Sequence, residues 1–347
     1  MKKILFLNNG HGEDLVAAKL IRSLHAPGSI NVLPFVGDGK LFEKLGVKVL
    51  GPRKALPGGG FSLRKLSSLP ADIFSGYLSN TIKTFSTLKA CRGKYGLVVA
   101  IGDIVPLIGA LITKCPFLFV GVNKSDYYHW HGYRYTLLEK FLLKKYALKV
   151  FPRDEYTHHH LERFGIKSEY VGNPLMDCVH MSPHVSTSPR IGFLPGTRTR
   201  DVGLNIDDFI EVAAEIKSRL PQAKFLIATQ AAIPAGFKQE SFDNVLAQSS
   251  IVVGLSGTGN EQAAGCGIPV VSFPGRGSQY TKRFAIAQSH LLGPAISVVK
   301  RDPKAVAHEI EMILNDRTRY EIMSQEGQQR MGGPGAIGKI ANEIRSI

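Results

Sequence analysis

Residues 251–274 read IVVGLSGTGN EQAAGCGIPV VSFP. An apolar run of five residues is followed by a glycine-containing turn, a helix-like stretch, a short loop and a second apolar run. This order predicts a buried strand, a helix and a second buried strand. Two strands joined through a helix are typical of a parallel sheet in an α/β protein.

The turn in this stretch predicts a binding site for an anion. Ser256, Gly257, Thr258 and Gly259 place backbone N–H groups at a helix N-terminus, where partial positive charge favours a phosphate. Glu261 follows in the first helical turn, where it can accept hydrogen bonds from vicinal hydroxyls such as those of a ribose. The predicted ligand is the diphosphate and ribose end of a nucleotide-sugar. Glycine turns also join strands to helices without binding anything, and neither Gly-x-Gly-x-x-Gly nor a P-loop is present.

The same alternation runs through the whole chain and predicts an α/β fold with two doubly wound, Rossmann-like domains facing across a cleft. Strand-like runs fall at residues 4–7, 30–35, 47–50, 97–101, 117–122, 149–151, 169–171, 190–194, 224–228, 251–255, 270–273 and 296–299. The segment 174–189 is polar and punctuated by proline, as linkers are. The expected domains are 1–174 and 175–330, with 331–347 as a helix that crosses back to the first domain.

Charge and composition narrow the class of partner. The 347 residues carry a net charge of +15, and 44% of them are hydrophobic. Residues 1–174 hold 25 Lys and Arg against 12 Asp and Glu, whereas residues 175–347 hold 18 against 16. The basic first half predicts an anionic partner, either a membrane surface or a substrate. No RNA-binding signature is present, so nucleic acid is not expected.

The four cysteines form no Cys-x-x-Cys pair, which predicts neither a metal site nor a disulfide and fits a reducing cytoplasm. Neither a signal peptide nor a membrane span is expected. Three adjacent histidines, His158 to His160, point in different directions on a helix and so predict no metal site. The aromatic segment 127–131 is suited to a sugar ring, a membrane interface or a domain interface.

The first strand ends in an acidic glycine turn, Asn8 to Asp14, which predicts an acceptor site in the first domain. The residues assigned to the acceptor are Gly10, Gly12, Glu13, Asn123 and Asn173, and His11 is a catalytic candidate. The alternative is a turn that simply caps the helix; the site is favoured, because strand-end loops of an α/β sheet are where sites form.

Asp103 follows the apolar run 97–101 directly after a glycine. A carboxylate at that strand end is placed to act as a general base for a sugar hydroxyl. It is equally placed to cap the helix that follows.

Two further loops are assigned to the nucleotide-sugar. Gly196 and Arg198 follow the first strand of the second domain, where an arginine can bind a diphosphate bidentately. Arg276 and Gln279 follow the strand after the anion-binding turn, within reach of phosphate or sugar hydroxyls. A solvated basic loop and a mobile glycine-rich loop are the alternatives.

Apolar and basic residues mix between residues 58 and 94, which predicts contact with anionic lipid. The candidate contacts are Phe61, Leu63, Arg64, Lys65, Leu66 and Phe74. The alternative is an amphipathic helix packed on its own sheet.

Together these motifs resemble lipid-A-disaccharide synthase and, more closely, the bacterial proteins called lipid-A-disaccharide synthase-related. The resemblance spans nearly the whole chain and rests on the order of its motifs: Gly12-Glu13-Asp14, Asp103, Phe151-Pro152, Val171-Gly172-Asn173-Pro174-Leu175, Leu194-Pro195-Gly196-Thr197-Arg198, and Ser256-Gly257-Thr258 with Glu261. The loop from Ser256 to Glu261 also resembles the UDP site of the peptidoglycan glycosyltransferase that uses UDP-GlcNAc.

The resemblance implies a GT-B glycosyltransferase fold, a UDP-sugar donor in the second domain and a lipid acceptor met by the first. The family's proposed base maps onto Asp103, and its donor-binding arginine maps onto Arg198. The chain departs from the synthase at three places: Asn173 replaces a histidine, Gly259-Asn260 interrupts a Thr-Ala-Thr-Leu pattern, and residues 127–131 replace a tryptophan-rich segment.

The predicted activity is an inverting transfer of a GlcNAc-type sugar from a UDP-sugar to a lipid or lipid-linked acceptor, with no metal and no cofactor. The expected location is the cytoplasm, at the inner face of the membrane. A UDP-GlcNAc 2-epimerase-like isomerase and a non-catalytic nucleotide-sugar or lipid-binding protein are the alternatives.

Overall fold

The structure, a computed structural model, describes residues 2–52, 77–128, 133–179, 188–196, 199–277 and 279–347. The chain divides into two compact units, Met1–Cys178 with Pro334–Ile347, and Val179–Gly333. The sequence placed the two breaks after residues 174 and 330.

The first unit is built on a six-stranded parallel sheet in the order β3-β2-β1-β4-β5-β6. Its strands are β1 Ile4–Asn8, β2 Ile30–Pro34, β3 Lys48–Val49, β4 Leu97–Ile101, β5 Phe117–Gly121 and β6 Ala147–Pro152. Its helices are α1 His11–Leu24, α2 Lys40–Glu43, α3 Tyr77–Ala90, α4 Ile104–Thr113, α5 Leu137–Tyr146 and α6 Glu155–Arg163, with short 3-10 turns at Pro27–Ser29 and Met176–Cys178. Every residue of β1, β4 and β5 is buried, because helices cover both faces of a parallel sheet.

The second unit repeats this plan with the order β12-β11-β10-β7-β8-β9. Its strands are β7 Arg190–Leu194, β8 Lys224–Ile227, β9 Phe237–Gln239, β10 Ile251–Gly254, β11 Val270–Ser272 and β12 Ile296–Val298. Its helices are α7 Thr199–Arg219, α8 Phe242–Gln248, α9 Gly257–Gly265, α10 Lys282–Leu292, α11 Pro303–Asn315 and α12 Arg317–Met331, with a 3-10 turn at Gly293–Ala295. In each unit the first strand lies beside the fourth. The first three strands are therefore added towards one edge of the sheet and the last three towards the other edge.

The last helix, α13 Ala336–Ser346, belongs to the first unit. Ile337, Ile340 and Ile344 are buried in the same apolar cluster as residues of α1. The Asp177 carboxylate accepts hydrogen bonds from the backbone N–H groups of Gly335 at 2.6 Å and Ile337 at 2.9 Å. These contacts fix the start of α13 on the first unit.

One predicted strand is wrong. Residues 169–171 form no strand, and the backbone pairing beside them is a single parallel bridge between Ser168 and Val150. The Val150 N–H donates to Lys167 and the Val150 carbonyl accepts from Glu169, so pairing ends after one residue on the edge strand. Along residues 167–170, charged and exposed residues alternate with partly buried ones. This mixture is typical of the edge of a sheet and explains why the segment does not continue as a strand.

None of the helices in the described ranges is both long and apolar enough to cross a bilayer.

Candidate functional site

Glu13 lies at the carboxyl end of the first sheet, in the first turn of α1, and is only 3% exposed. Asn123, which follows β5, donates its side-chain amide to the Glu13 carboxylate. The Glu13 side chain also lies against Gly102, where a Cβ would come within 3.0 Å of Glu13 Cγ. Gly102 has a φ of 124°, so both its backbone and its missing side chain make room for this carboxylate.

Asp103 lies next to this position, at the N-cap of α4. Its Oδ1 accepts a hydrogen bond from the Val105 N–H at 2.9 Å and from the Asn9 amide at 3.3 Å. The capping role that the sequence left open is therefore confirmed, and the side chain keeps partial exposure. A residue that caps a helix at the end of a strand can also take part in a reaction. The role of Asp103 as a base therefore remains a prediction.

Burial changes the protonation of this cluster. Loss of solvent raises the pKa of Glu13 to about 8, with smaller contributions from the neighbouring charges of Asp103 and Asp14, while the Asn123 hydrogen bond opposes the rise. Burial likewise raises the pKa of Asp14 to about 7, against a hydrogen bond donated by Asn8. A carboxyl group that titrates near neutral pH is suited to proton transfer.

The other residues assigned to the acceptor differ in their surroundings. Gly10 precedes α1 with a φ of 138°, and Gly12 lies half-buried in the first turn of α1. His11 begins α1, but its side chain lies outside the described part of the structure. Asn173 is fully buried, and its Oδ1 accepts from the Leu175 N–H at 3.1 Å, so in this structure it shapes a turn. Its contact with an acceptor remains a prediction.

In the second unit, Ser256 is the N-cap of α9 and accepts a hydrogen bond from the Gly259 N–H at 3.2 Å. A Cβ on Gly259 would lie 2.8 Å from Ser256 Oγ and 3.3 Å from Leu194 Cδ1. The cap therefore requires glycine there whether or not a phosphate binds. Gly257 and Thr258 lie half-buried ahead of it, at a helix start where N–H groups lack carbonyl partners.

Asn260 is fully buried one position after Gly259 and fixes this turn to the sheet. Its amide donates to the Gly254 carbonyl at 3.2 Å and to the Tyr280 hydroxyl at 3.0 Å. Ser272 donates to the same carbonyl at 2.6 Å. Asn260 thus explains the departure from the synthase pattern at this position: its amide holds the end of β10.

Glu261 is 6% exposed and accepts a hydrogen bond from Gln288 of α10 at 3.1 Å. Sequence reasoning missed Gln288, because nothing in a local pattern links a helix to a residue 27 positions away. The buried Gln288 amide therefore fixes the orientation of Glu261. Such support is expected for a carboxylate that must bind a ligand with fixed geometry.

Gly196 and Gln279 lie close together: a Cβ on Gly196 would come within 3.6 Å of Gln279 Oε1. Two buried polar residues of α7 hold these loops, and sequence reasoning missed both. Asp201 accepts from the Gln279 N–H at 2.8 Å, and Asn205 donates to the Pro195 carbonyl at 2.8 Å.

Arg276 contacts helix α7, and its contact with the donor remains a prediction. Its guanidinium pairs with Asp208 at 3.0 Å and donates to the Leu204 carbonyl at 3.2 Å, both on α7. All of these contacts are made through one guanidinium nitrogen, Nη2. Arg198 lies outside the described residues.

The predicted lipid contacts, Phe61, Leu63, Arg64, Lys65, Leu66 and Phe74, also lie outside the described residues. Of the three adjacent histidines, His158 and His159 both approach Glu162, at 3.5 and 3.7 Å, whereas His160 pairs with Asp126 at 2.9 Å. The ligand atoms of His158, His159 and Glu162 lie within 4.8 Å of one another, so two histidines share one partner despite being adjacent.

Comparison with known proteins places the chain near one family. Over 152 residues it is 29% identical to the lipid-A-disaccharide synthase of Hydrogenovibrio crunogenus, which is 35% of the chain and 40% of that protein. The chain thus spans less than half the length of this curated relative. No family-level sequence profile matches. The chain is thus similar to lipid-A-disaccharide synthases over part of its length.

The fold is shared with two solved proteins. One is the UDP-GlcNAc 2-epimerase of Neisseria meningitidis bound to UDP-GlcNAc, with a TM-score of 0.64 and 15% identity over 99% of this chain and 100% of that one. The other is CalG4, the calicheamicin glycosyltransferase, with a TM-score of 0.66 and 15% identity over 100% and 98%. The predicted fold class, GT-B type with two Rossmann-like domains, is confirmed.

Proposed function

We propose that the protein is a glycosyltransferase that moves a sugar from a UDP-sugar to a hydroxyl of a lipid or lipid-linked acceptor. One observation carries the proposal. The loops after β1 and β4 form a buried acidic cluster, while the loop after β10 forms a neutral helix N-terminus beside an oriented carboxylate. The first suits deprotonation of a hydroxyl, and the second suits a diphosphate and a ribose.

Asp103 is the base in this proposal. It takes the proton of the acceptor hydroxyl, whose oxygen attacks the anomeric carbon as the bond to UDP breaks. The electron pair of that bond leaves with UDP, and the product sugar has inverted configuration because a single displacement has occurred. The half-exposed position of Asp103 gives it access that the buried Glu13 lacks.

Glu13 is a positioning residue. With a pKa of about 8 it is mostly protonated at pH 7, so it adds no second full negative charge beside Asp103. Asn123 fixes its orientation.

The donor loops supply charge stabilisation. The N-terminus of α9 and Arg198 would stabilise the departing UDP without a metal ion, and Glu261 would hold the ribose. Gly196 and Gln279 would line the same site. The sugar is proposed to be of GlcNAc type, and the relevant location is the cytoplasmic face of a membrane.

An isomerase of the UDP-GlcNAc 2-epimerase class is the second candidate, because a bound epimerase shares the fold over the whole chain. A non-catalytic nucleotide-sugar or lipid-binding protein is the third. Titration calorimetry with UDP and UDP-GlcNAc, followed by measurement of UDP release with and without bacterial lipid extract, separates them. A transferase releases UDP only with acceptor. An epimerase forms a new UDP-sugar without acceptor, visible by proton NMR. A sensor binds and does neither, and that result would refute an enzymatic role.

A further inference from the structure

Helix α5, Leu137–Tyr146, exposes an unusual amount of apolar surface for a helix on a basic unit. Leu137 is 76% exposed, Leu138 61% and Phe141 54%. Phe141 lies four residues after Leu137 and three residues after Leu138, so the three side chains share one face of the helix. Leu148 of β6, two residues after the helix ends, is also exposed, at 42%. Exposed apolar groups scattered singly need no explanation, but a contiguous face does.

Basic groups flank this face. Lys145 lies one turn after Phe141, with its Nζ 5.8 Å from the centre of the Phe141 ring and 5.2 Å from that of Tyr146. Lys144 lies 5.8 Å from the centre of the Phe164 ring and donates to the Phe164 carbonyl at 3.1 Å. Both lysines are exposed. The outer side of α5 therefore presents apolar side chains bordered by positive charge.

The inner side of α5 is firmly attached to the unit. Glu139, the only acidic residue of the helix, is buried in an ion pair with Lys124 at 2.9 Å. Glu139 also completes a capping box with Thr136. Because the one carboxylate points inward, no negative charge of the helix itself opposes an anionic partner on the outer face.

This attachment links α5 to the candidate acceptor site. Lys124 directly follows Asn123, whose amide holds Glu13. The first turn of α5 is thus tied, through two consecutive residues, to the loop that orients the acidic cluster. A partner that rests on Leu137 and Leu138 would therefore contact a helix whose first turn is paired with Lys124, the residue next to Asn123.

We infer that the exposed face of α5, formed by Leu137, Leu138, Phe141, Lys144 and Lys145, rests on an anionic lipid bilayer. Apolar side chains enter the headgroup boundary while flanking lysines meet lipid phosphates. A second copy of the same face is a poorer occupant, because it would bring lysines against lysines. The inference rests on the proposed function in one respect: the contact with the bilayer would serve to deliver a lipid-linked acceptor to the acidic cluster.

The test is vesicle flotation or sedimentation of the full chain with two vesicle types, phosphatidylcholine alone and phosphatidylcholine with phosphatidylglycerol. We expect binding to the anionic vesicles at low salt, release as salt rises, and little binding to neutral ones. Leu138→Glu with Phe141→Glu is expected to reduce affinity for anionic vesicles at least ten-fold, as is Lys144→Glu with Lys145→Glu.

The matched control is Met312→Glu with Ile322→Glu, which alters two exposed apolar residues on helices of the second unit and should bind vesicles like the unaltered protein. Circular dichroism and UDP calorimetry on the same samples establish that each variant is folded. Vesicle binding that persists where UDP binding fails would refute the proposed function and keep this inference.

Equal binding to both vesicle types, or undiminished binding by the α5 variants, would overturn the inference. Loss of binding by Arg64→Glu with Lys65→Glu but not by the α5 variants would assign the surface to the segment around residue 64 instead. A dimer in analytical ultracentrifugation that dissociates in the α5 variants, with no vesicle binding by any form, would make a second copy the occupant.

Discussion

In the first unit, the strand-end loops carry Glu13, Asp14 and Asp103, and the pKa values of the first two are raised towards neutrality by burial. In the second unit, the corresponding loops carry hydroxyl, amide and backbone groups around Ser256, with Glu261 as the one carboxylate in α9. Both units share one strand order. The same backbone plan therefore supports two chemistries, and the difference lies in the loops.

The contrast assigns different tasks to the two units. A buried acidic cluster cannot attract a diphosphate but can exchange a proton with a hydroxyl. A neutral helix N-terminus can hold a diphosphate but offers no base. Substitutions in one unit should therefore affect turnover, and substitutions in the other should affect donor affinity.

The largest effect is expected from Asp103→Asn. Turnover should fall by about 10²–10⁴-fold, the usual share of general-base catalysis, because the amide cannot accept the acceptor proton. UDP affinity, measured by calorimetry, should be unchanged, since the donor groups belong to the other unit. The variant keeps a side-chain oxygen for the Val105 N–H, so its melting temperature should change little. Full activity in a destabilised variant would leave Asp103 with the capping role alone.

Glu13→Gln should change how stability depends on pH. In the folded protein the pKa of Glu13 is about 8, above its ordinary value of 4.5, so the folded state binds the proton more tightly than the unfolded state. Its contribution is fully present below pH 4.5 and is lost as pH rises towards 8. The Glu13→Gln variant cannot lose this stability. Its free energy of unfolding should therefore rise by about 2–4 kcal/mol relative to that of the unaltered protein as the pH goes from 4.5 to 8.5.

Denaturant unfolding at these two pH values, followed by far-ultraviolet circular dichroism, measures this change in stability. Asp14→Asn is the companion variant. This variant should also gain stability relative to the unaltered protein as the pH rises. The gain should be complete near pH 7, because the pKa of Asp14 is raised only to about 7. Parallel curves for all three proteins would show that burial does not perturb these carboxyls.

Glu261→Ala should weaken UDP-sugar binding by about 1.5–3 kcal/mol, the range for hydrogen bonds to a charged group. Gln288→Leu is the informative partner variant, because it removes the amide that orients Glu261 and leaves the carboxylate in place. It should cost less affinity than Glu261→Ala. Unchanged UDP affinity in a folded Glu261→Ala protein would move the ribose site elsewhere.

The sequence predicted well wherever burial alone decides structure. The central strands β1, β4, β5 and β10 are buried throughout and almost entirely apolar, because both faces of a parallel sheet are covered, and their positions could be predicted from that pattern. The predicted strand at 169–171 failed at the edge of a sheet, where pairing depends on the neighbour and not on the segment itself. The short edge strand β9 was missed for the same reason.

The candidate sites divide in the same way. Asp103, Glu13 and Ser256 could be found because a strand end followed by a helix start is a local pattern. Gln288, Asp201 and Asn260 could not, because their meaning lies in partners distant in sequence: Asp201 meets Gln279 across 78 positions. The engagement of Arg276 by Asp208 was invisible for the same reason.

The smallest predicted effect separates a helix cap from a phosphate site. Ser256→Ala removes the acceptor for the Gly259 N–H and should destabilise the second unit by about 1 kcal/mol. If a donor phosphate binds at this helix start, its oxygens accept from the same N–H, so saturating UDP should relieve most of that loss.

Ser241→Ala is the matched control, because Ser241 caps α8 in the same unit with the same 3.2 Å geometry to the Asn244 N–H. Its destabilisation should be similar without ligand, and UDP should raise the stability of that variant only as much as it raises that of the unaltered protein. Melting curves of the three proteins with and without UDP make the comparison. Equal shifts on adding UDP for both serine variants would mean that the α9 N-terminus caps a helix and receives no phosphate.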